Sequence, residues 1–160
     1  MQLAFLRAEV FCFRDPLYHD FYREVATEIL ILTMRAKIGK VEAEEWKELI
    51  GEEIRLATRC SEREARYIAT RALEENVCID ASEEVGLALA KLGYKVERVE
   101  LEKSRKPLDI LREKLRREIL FGEKVPEESV ERLVMEHLKF VELIIGEDFE
   151  EAYREWAAHS

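Results

Sequence analysis

The chain reads as a mainly α protein, a multi-helix bundle of about seven helices with two or three short β-strands near residues 3–13 and 94–103. Three observations carry that reading. Apolar residues recur every three or four positions through most of the 160 residues. Ser or Asp followed three residues later by Glu marks three helix starts, at Ser61/Glu64, Asp80/Glu83 and Asp148/Glu151. Proline and glycine punctuate the pattern at Pro16, Pro107, Pro126, Gly39, Gly93, Gly122 and Gly146.

Residues Leu3 to Phe13 alternate. Ala4, Leu6, Ala8, Val10 and Cys12 share one apolar face, and aromatic and β-branched content favours a strand over a helix. Asp15-Pro16 then starts a helix, since Asp caps free N–H groups and Pro fits the first helical position. That helix is expected to run to about Ile38 and to bury Leu17, Phe21, Val25, Ile29, Leu32 and Ala36. Around Ile29 to Leu32 it is apolar on all sides, which predicts the centre of the core.

A second helix is expected from Glu42 to Thr58, with Ala43, Trp46, Ile50, Ile54 and Ala57 on one face. A third follows from the Ser61 capping box to Asn76. After the short apolar piece Val77-Cys78-Ile79, the Asp80/Glu83 box opens a fourth helix that stops at Gly93. Tyr94 to Lys103 reads as an irregular strand, its alternation slipping between Val96 and Val99. Beyond Pro107 the pattern is purely helical: 107–121, then 126–146, then a last helix carrying Phe149, Ala152, Tyr153 and Trp156. One globular domain, 1–160, is expected, with a possible seam at Ser104 to Lys106.

Composition narrows the function classes. Charged residues make up 38%, well above the usual ~25%, and the acids are nearly all Glu. One Gln and one Asn are present. Glu, Lys and Arg enrichment with few labile amides points to a thermophilic, archaeal source. A net charge of −9 gives no overall attraction to nucleic acid or to an anionic membrane. No apolar run approaches a bilayer span, and the start has no cationic leader, so a cytoplasmic location is expected. Cys12, Cys60 and Cys78 lack CxxC spacing and are expected to be reduced, buried thiols. No metal site and no cofactor are expected: Asp15 is needed as a cap, His19 has no second ligand at suitable spacing, and phosphate-cradling glycine motifs are absent.

Three constellations could carry chemistry. Glu44, Glu48 and Glu52 stack on one helix face, with Lys40, Lys47 and Arg55 in reach, and a solvated, salt-bridged face is the expectation. Glu44-Glu45-Trp46-Lys47-Glu48 resembles the EExxE half of the MazG-type nucleotide pyrophosphohydrolases. That family also carries a later ExxD pair, and no Asp here has Glu three residues before it.

Each His has an Arg five residues earlier, at Arg14/His19, Arg132/His137 and Arg154/His159. This spacing resembles the R-x4-H motif of HEPN helical bundles, and the resemblance implies metal-independent RNA cleavage at a dimer cleft, with His137 and Arg132 as the catalytic pair. On spacing alone, His137 belongs on the apolar face with Leu133 and Val141, and Arg132 points towards Glu128 and Glu136, so a core histidine is the plainer expectation.

Finally, Arg105, Arg112 and Arg116 fall near one helical face and could track phosphates. Acidic neighbours, including Glu113 paired with Arg117, favour ordinary salt bridging. The sequence is therefore read as a non-enzymatic helical interaction or regulatory module with a protein partner or a second copy of itself. The alternatives are a HEPN-like RNase and a nucleic-acid accessory protein.

Overall fold

The structure is a computed structural model that describes residues 10–99, 106–146 and 149–159. Six helices follow in order: α1 (Pro16–Lys37), α2 (Ala43–Arg71), α3 (Glu83–Lys91), α4 (Pro107–Phe121), α5 (Glu127–Gly146) and α6 (Phe149–His159). Among the described residues no strand is present.

Helix α1 starts as its sequence dictates. Asp15 is the N-cap, its Oδ1 accepting from Leu17 N–H at 2.9 Å, and Pro16 follows in the first turn. It ends where Gly39 adopts φ +83°, a left-handed conformation that a side chain would strain. Helix α4 closes the same way on Gly122, at φ +72°.

The second and third expected helices are one. Helix α2 runs unbroken for 29 residues, about 43 Å. No glycine or proline lies between Ala57 and Glu62, so nothing local stops it. Ser61 sits buried inside it, its hydroxyl donating to Thr58 O at 2.7 Å. The other half of the expected capping box, Glu64, accepts instead from the Asp15 backbone N–H at 2.9 Å. The start of α1 is thus tied to the second half of α2, a carboxylate there satisfying the backbone N–H of the α1 cap residue.

Further expectations are corrected. Ser82, not Asp80, caps α3, accepting from Val85 N–H at 3.3 Å, while Asp80 takes a left-handed φ of +58° and receives Arg14. Residues 10–13 and 94–99 carry no regular structure; the remainder of the two expected strands, 3–9 and 100–103, lies outside the described residues, as does Asp148. A strand needs an edge to pair with, and Tyr94–Val99 leans on helices instead. The Tyr94 hydroxyl donates to Ala69 O at 3.3 Å, and Val96 lies against Gly86. Cys12 is exposed and Cys78 half-buried, so only Cys60 is the buried thiol expected; all three are free.

Helix α2 is the spine, with α1, α3, α4 and α5 all packed on it. Its first half forms the main core. Trp46, Ile50 and Ile54 meet Leu32 and Ala36 of α1, Leu111 and Leu115 of α4, and Val130, Leu133 and Val134 of α5. Its second half carries a smaller apolar cluster, Ala65 with Val85 and Leu89 of α3. Helix α6 docks on α5 by edge-on contacts of Phe140 with Phe149 and Trp156. Helix α1 is not buried all round. Val25, Leu32 and Ala36 face the core, while Leu17, Leu30 and Ile31 face outward. No helix among the described residues is long and apolar enough to cross a membrane.

Candidate functional site

Helix α5 carries Arg132 and His137 on different sides. Five residues advance a helix by about 500°, so the two side chains diverge by about 140°. Arg132 is exposed and bridges Glu136 at 2.6 Å. His137 is half-buried where three helices meet. Its ring stands edge-on to Trp46 of α2, with centroids 6.4 Å apart, and its Nε2 lies 3.3 Å from the Thr33 hydroxyl of α1. That hydroxyl donates its own proton to Ile29 O at 2.7 Å. Thr33 therefore accepts from the histidine, which assigns the proton to Nε2. Burial pushes the His137 pKa below its ordinary value and keeps the ring neutral. The structure gives His137 a packing and tautomer-fixing environment and does not bring Arg132 to it.

The basic face of α4 turns inward. Arg112 forms a two-pronged ion pair with the buried Glu53 of α2, at 2.7 and 3.1 Å, and Tyr18 of α1 donates to the same carboxylate at 2.6 Å. Burial, reinforced by that hydrogen bond and charge, drives the Tyr18 hydroxyl well above the usual phenol range. Arg116 is buried and reaches Glu83 at 2.7 Å, Glu84 at 3.1 Å and Glu113 at 3.4 Å. Its Nε and the Glu84 Oε1 are held by charge, without an aligned hydrogen bond. Arg117 pairs with Glu123 rather than Glu113. Arg105 lies outside the described residues. A guanidinium that clamps a buried glutamate presents few free donors to a phosphate, so Arg112 and Arg116 tie helices together here.

The acidic stripe of α2 opens onto a groove of about 930 Å³ between α2 and the α4–α5 junction. Glu44, Glu48 and Lys47 line one wall, with Lys47 bridging Glu44 at 3.5 Å. Gly51 forms the floor, with the Arg55 guanidinium lying close to where its Cβ would be. Among the described residues no group of three or more metal-binding side chains converges.

No family model matches this chain, no curated protein matches it, and no solved structure matches it.

The feature that sequence reasoning misplaced is the outward face of α1. Leu30, Ile31, Met34 and Ile38 are 59, 44, 65 and 73% exposed. They form a contiguous aliphatic strip opposite the core-facing Val25, Leu32 and Ala36. The signal lay in Ile29-Leu30-Ile31-Leu32. A helix that meets one core needs a single apolar stripe, so a run that is apolar on every side has either a complete burial or a second partner. Isolated apolar side chains on a surface are ordinary; a strip of four long ones on consecutive turns is not.

Proposed function

We propose that this chain is a non-enzymatic helical interaction or regulatory module, cytoplasmic in a thermophilic archaeal cell, that docks a protein partner on the outward face of α1. The single observation that carries the reading is the aliphatic strip Leu30, Ile31, Met34 and Ile38, exposed on a helix whose opposite side is built into the main core. A face held by a rigid scaffold suits docking because little ordering remains to be done on binding. The committed state of Arg112, Arg116 and His137 adds support, since each already serves the internal structure.

The thermophilic part of the reading is supported by composition and by the linked charges of Arg98, Glu83, Arg116, Glu84 and Glu113. A thermal midpoint in the mesophile range of about 45–65 °C counts against it.

Docking is tested by placing a photo-crosslinking phenylalanine at Met34, with a control at the exposed Lys95, in cells of the source organism. Illumination is expected to give a discrete protein adduct at position 34 and none at 95. Equal, diffuse labelling at both positions, or none at either, sinks the reading.

A further inference from the structure

We propose that the partner on this face is a second copy of the chain, with the two α1 helices packed antiparallel about a two-fold axis between Ile31 and Met34. The proposal rests on the docking reading above and adds the identity of the partner and its geometry.

The outward positions Thr27, Ile31, Met34 and Ile38 are spaced by four, three and four residues. That is the seven-residue repeat of a two-helix seam, and Leu30 flanks it. Continued towards the N-terminus, the same repeat reaches Glu24 and Asp20, both exposed. The seam is thus aliphatic in its C-terminal half and acidic in its N-terminal half.

This asymmetry decides the orientation. A parallel pair would set Glu24 against Glu24 and Asp20 against Asp20 in the seam itself, like charge on like. An antiparallel pair sets Thr27 against Ile38 and Ile31 against Met34, each contact made twice. It carries Glu24 past the aliphatic stretch to the basic end of the opposing helix, beside Lys40. It also lays Glu28 alongside Arg35, matching flanking positions on the same side of the seam. Arg35 already holds Glu45 at 2.6 Å, and both side chains remain partly exposed, so the approach of Glu28 extends an ion pair rather than breaking one. Glu24, Glu28 and Lys40 are all exposed. The charge pattern therefore complements a reversed copy of itself.

Stable dimers hide about 800 Å² on each partner. Three aliphatic side chains on α1 and that of its C-cap residue Ile38 supply less, which places the pair in a concentration-dependent equilibrium rather than an obligate dimer.

The test is disulfide trapping in the full chain carrying Cys12→Ser and Cys78→Ser, Cys60 being buried. Thr27→Cys and Ile38→Cys are introduced singly and together. The double variant is expected to give a linked dimer on oxidation, and each single variant none, because identical positions lie about 16 Å apart along the antiparallel seam. The same separation prevents a bond within one helix. Linked dimers from the single variants would show a parallel pair and overturn the proposal, as would absence of linkage in the double variant. Sedimentation of the unmodified chain is expected to show dimer growing with concentration, and Met34→Glu to shift it to monomer with unchanged far-ultraviolet dichroism. A chain that stays monomeric at every concentration, while a photo-adduct at position 34 has the mass of a different protein, removes this proposal and leaves the docking reading standing.

Discussion

The two halves of α2 are held by different physics. The first half lies among twelve buried residues drawn from α1, α2, α4, α5 and the segment between the last two, with Trp46, Ile54, Leu111 and Val130 no more than 1% exposed. The second half shares a buried cluster of three, Ala65, Val85 and Leu89. Around that small cluster the ties are polar. Arg14 reaches Asp80, Arg63 reaches Asp15 at 2.5 Å, Glu64 receives the Asp15 N–H, and Arg116 crosses from α4 to Glu83 and Glu84. Burial of apolar area is non-directional and supplies most of the free energy of folding. Ion pairs contribute less net energy, yet they fix which groups must meet. The first half supplies the stability, and the second half is positioned by contacts that stability elsewhere makes possible.

The strongest way to break this contrast is Trp46→Ala. Truncating a fully buried Trp is expected to cost about 3–5 kcal/mol, read as a lower urea midpoint for the whole chain. A loss under about 1 kcal/mol would mean that the first half is not the main source of stability.

Arg116→Met is expected to act more locally. It leaves the Glu84 carboxylate, 8% exposed, without its countercharge, at a cost of about 3 kcal/mol. Amide exchange in α3 should quicken while that in α5 stays slow. Adding Glu84→Leu should recover most of the loss, since a buried pair replaced by apolar groups is close to neutral. Equal quickening in α3 and α5 would show that the two halves unfold as one unit.

The third test concerns pH. His137 has a folded pKa below its unfolded value of about 6.5, so the unfolded chain takes up the proton first. Its contribution is complete above about pH 6.5 and is lost as pH falls below that value through the folded pKa. Urea midpoints at pH 7.5 and 5.5 should differ less in His137→Gln, whose amide keeps a donor for Thr33. An unchanged difference would assign the pH dependence to other groups.

The smallest effect is expected from Gly51→Ala. A Cβ there meets only the Arg55 guanidinium, at 3.5–3.8 Å, which is ordinary contact. The substitution should stabilise α2 by about 0.5–1 kcal/mol, again read from the urea midpoint.

The contrast also explains what the sequence made legible. Helix starts at Asp15-Pro16 and Pro107, and stops at Gly39, Gly93 and Gly122, depend on local backbone chemistry and are where they were expected. Ser61/Glu64 has the spacing of a cap but sits inside a helix, because the group that takes up Glu64 is a backbone N–H 49 residues away. Asp80/Glu83 lost to Ser82, two residues closer to the helix. Arg112 and Arg116 have the same spacing whether they face water or the spine, and Glu53, which decides for Arg112, is 59 positions distant. His137 was readable as a core histidine from its neighbours at four-residue spacing; its partner Thr33 was not, being on another helix. The outward strip of α1 was legible as excess apolarity and not as exposure, since burial is a property of what packs and not of the run itself.

The unbroken α2 sets a rule about length. Each residue in a helix adds about 1.5 Å and 100° of rotation. A single insertion between Thr58 and Glu62 would therefore turn the far end by about a quarter of a circle relative to the main core. Glu64 would leave the Asp15 N–H, and the α3 docking face would point elsewhere. Insertion of a whole turn would restore the azimuth at the cost of a shift along the axis. The connecting segments on either side of α3 can vary in length without this penalty. The middle of α2 behaves as a keyed shaft, intolerant of changes in count.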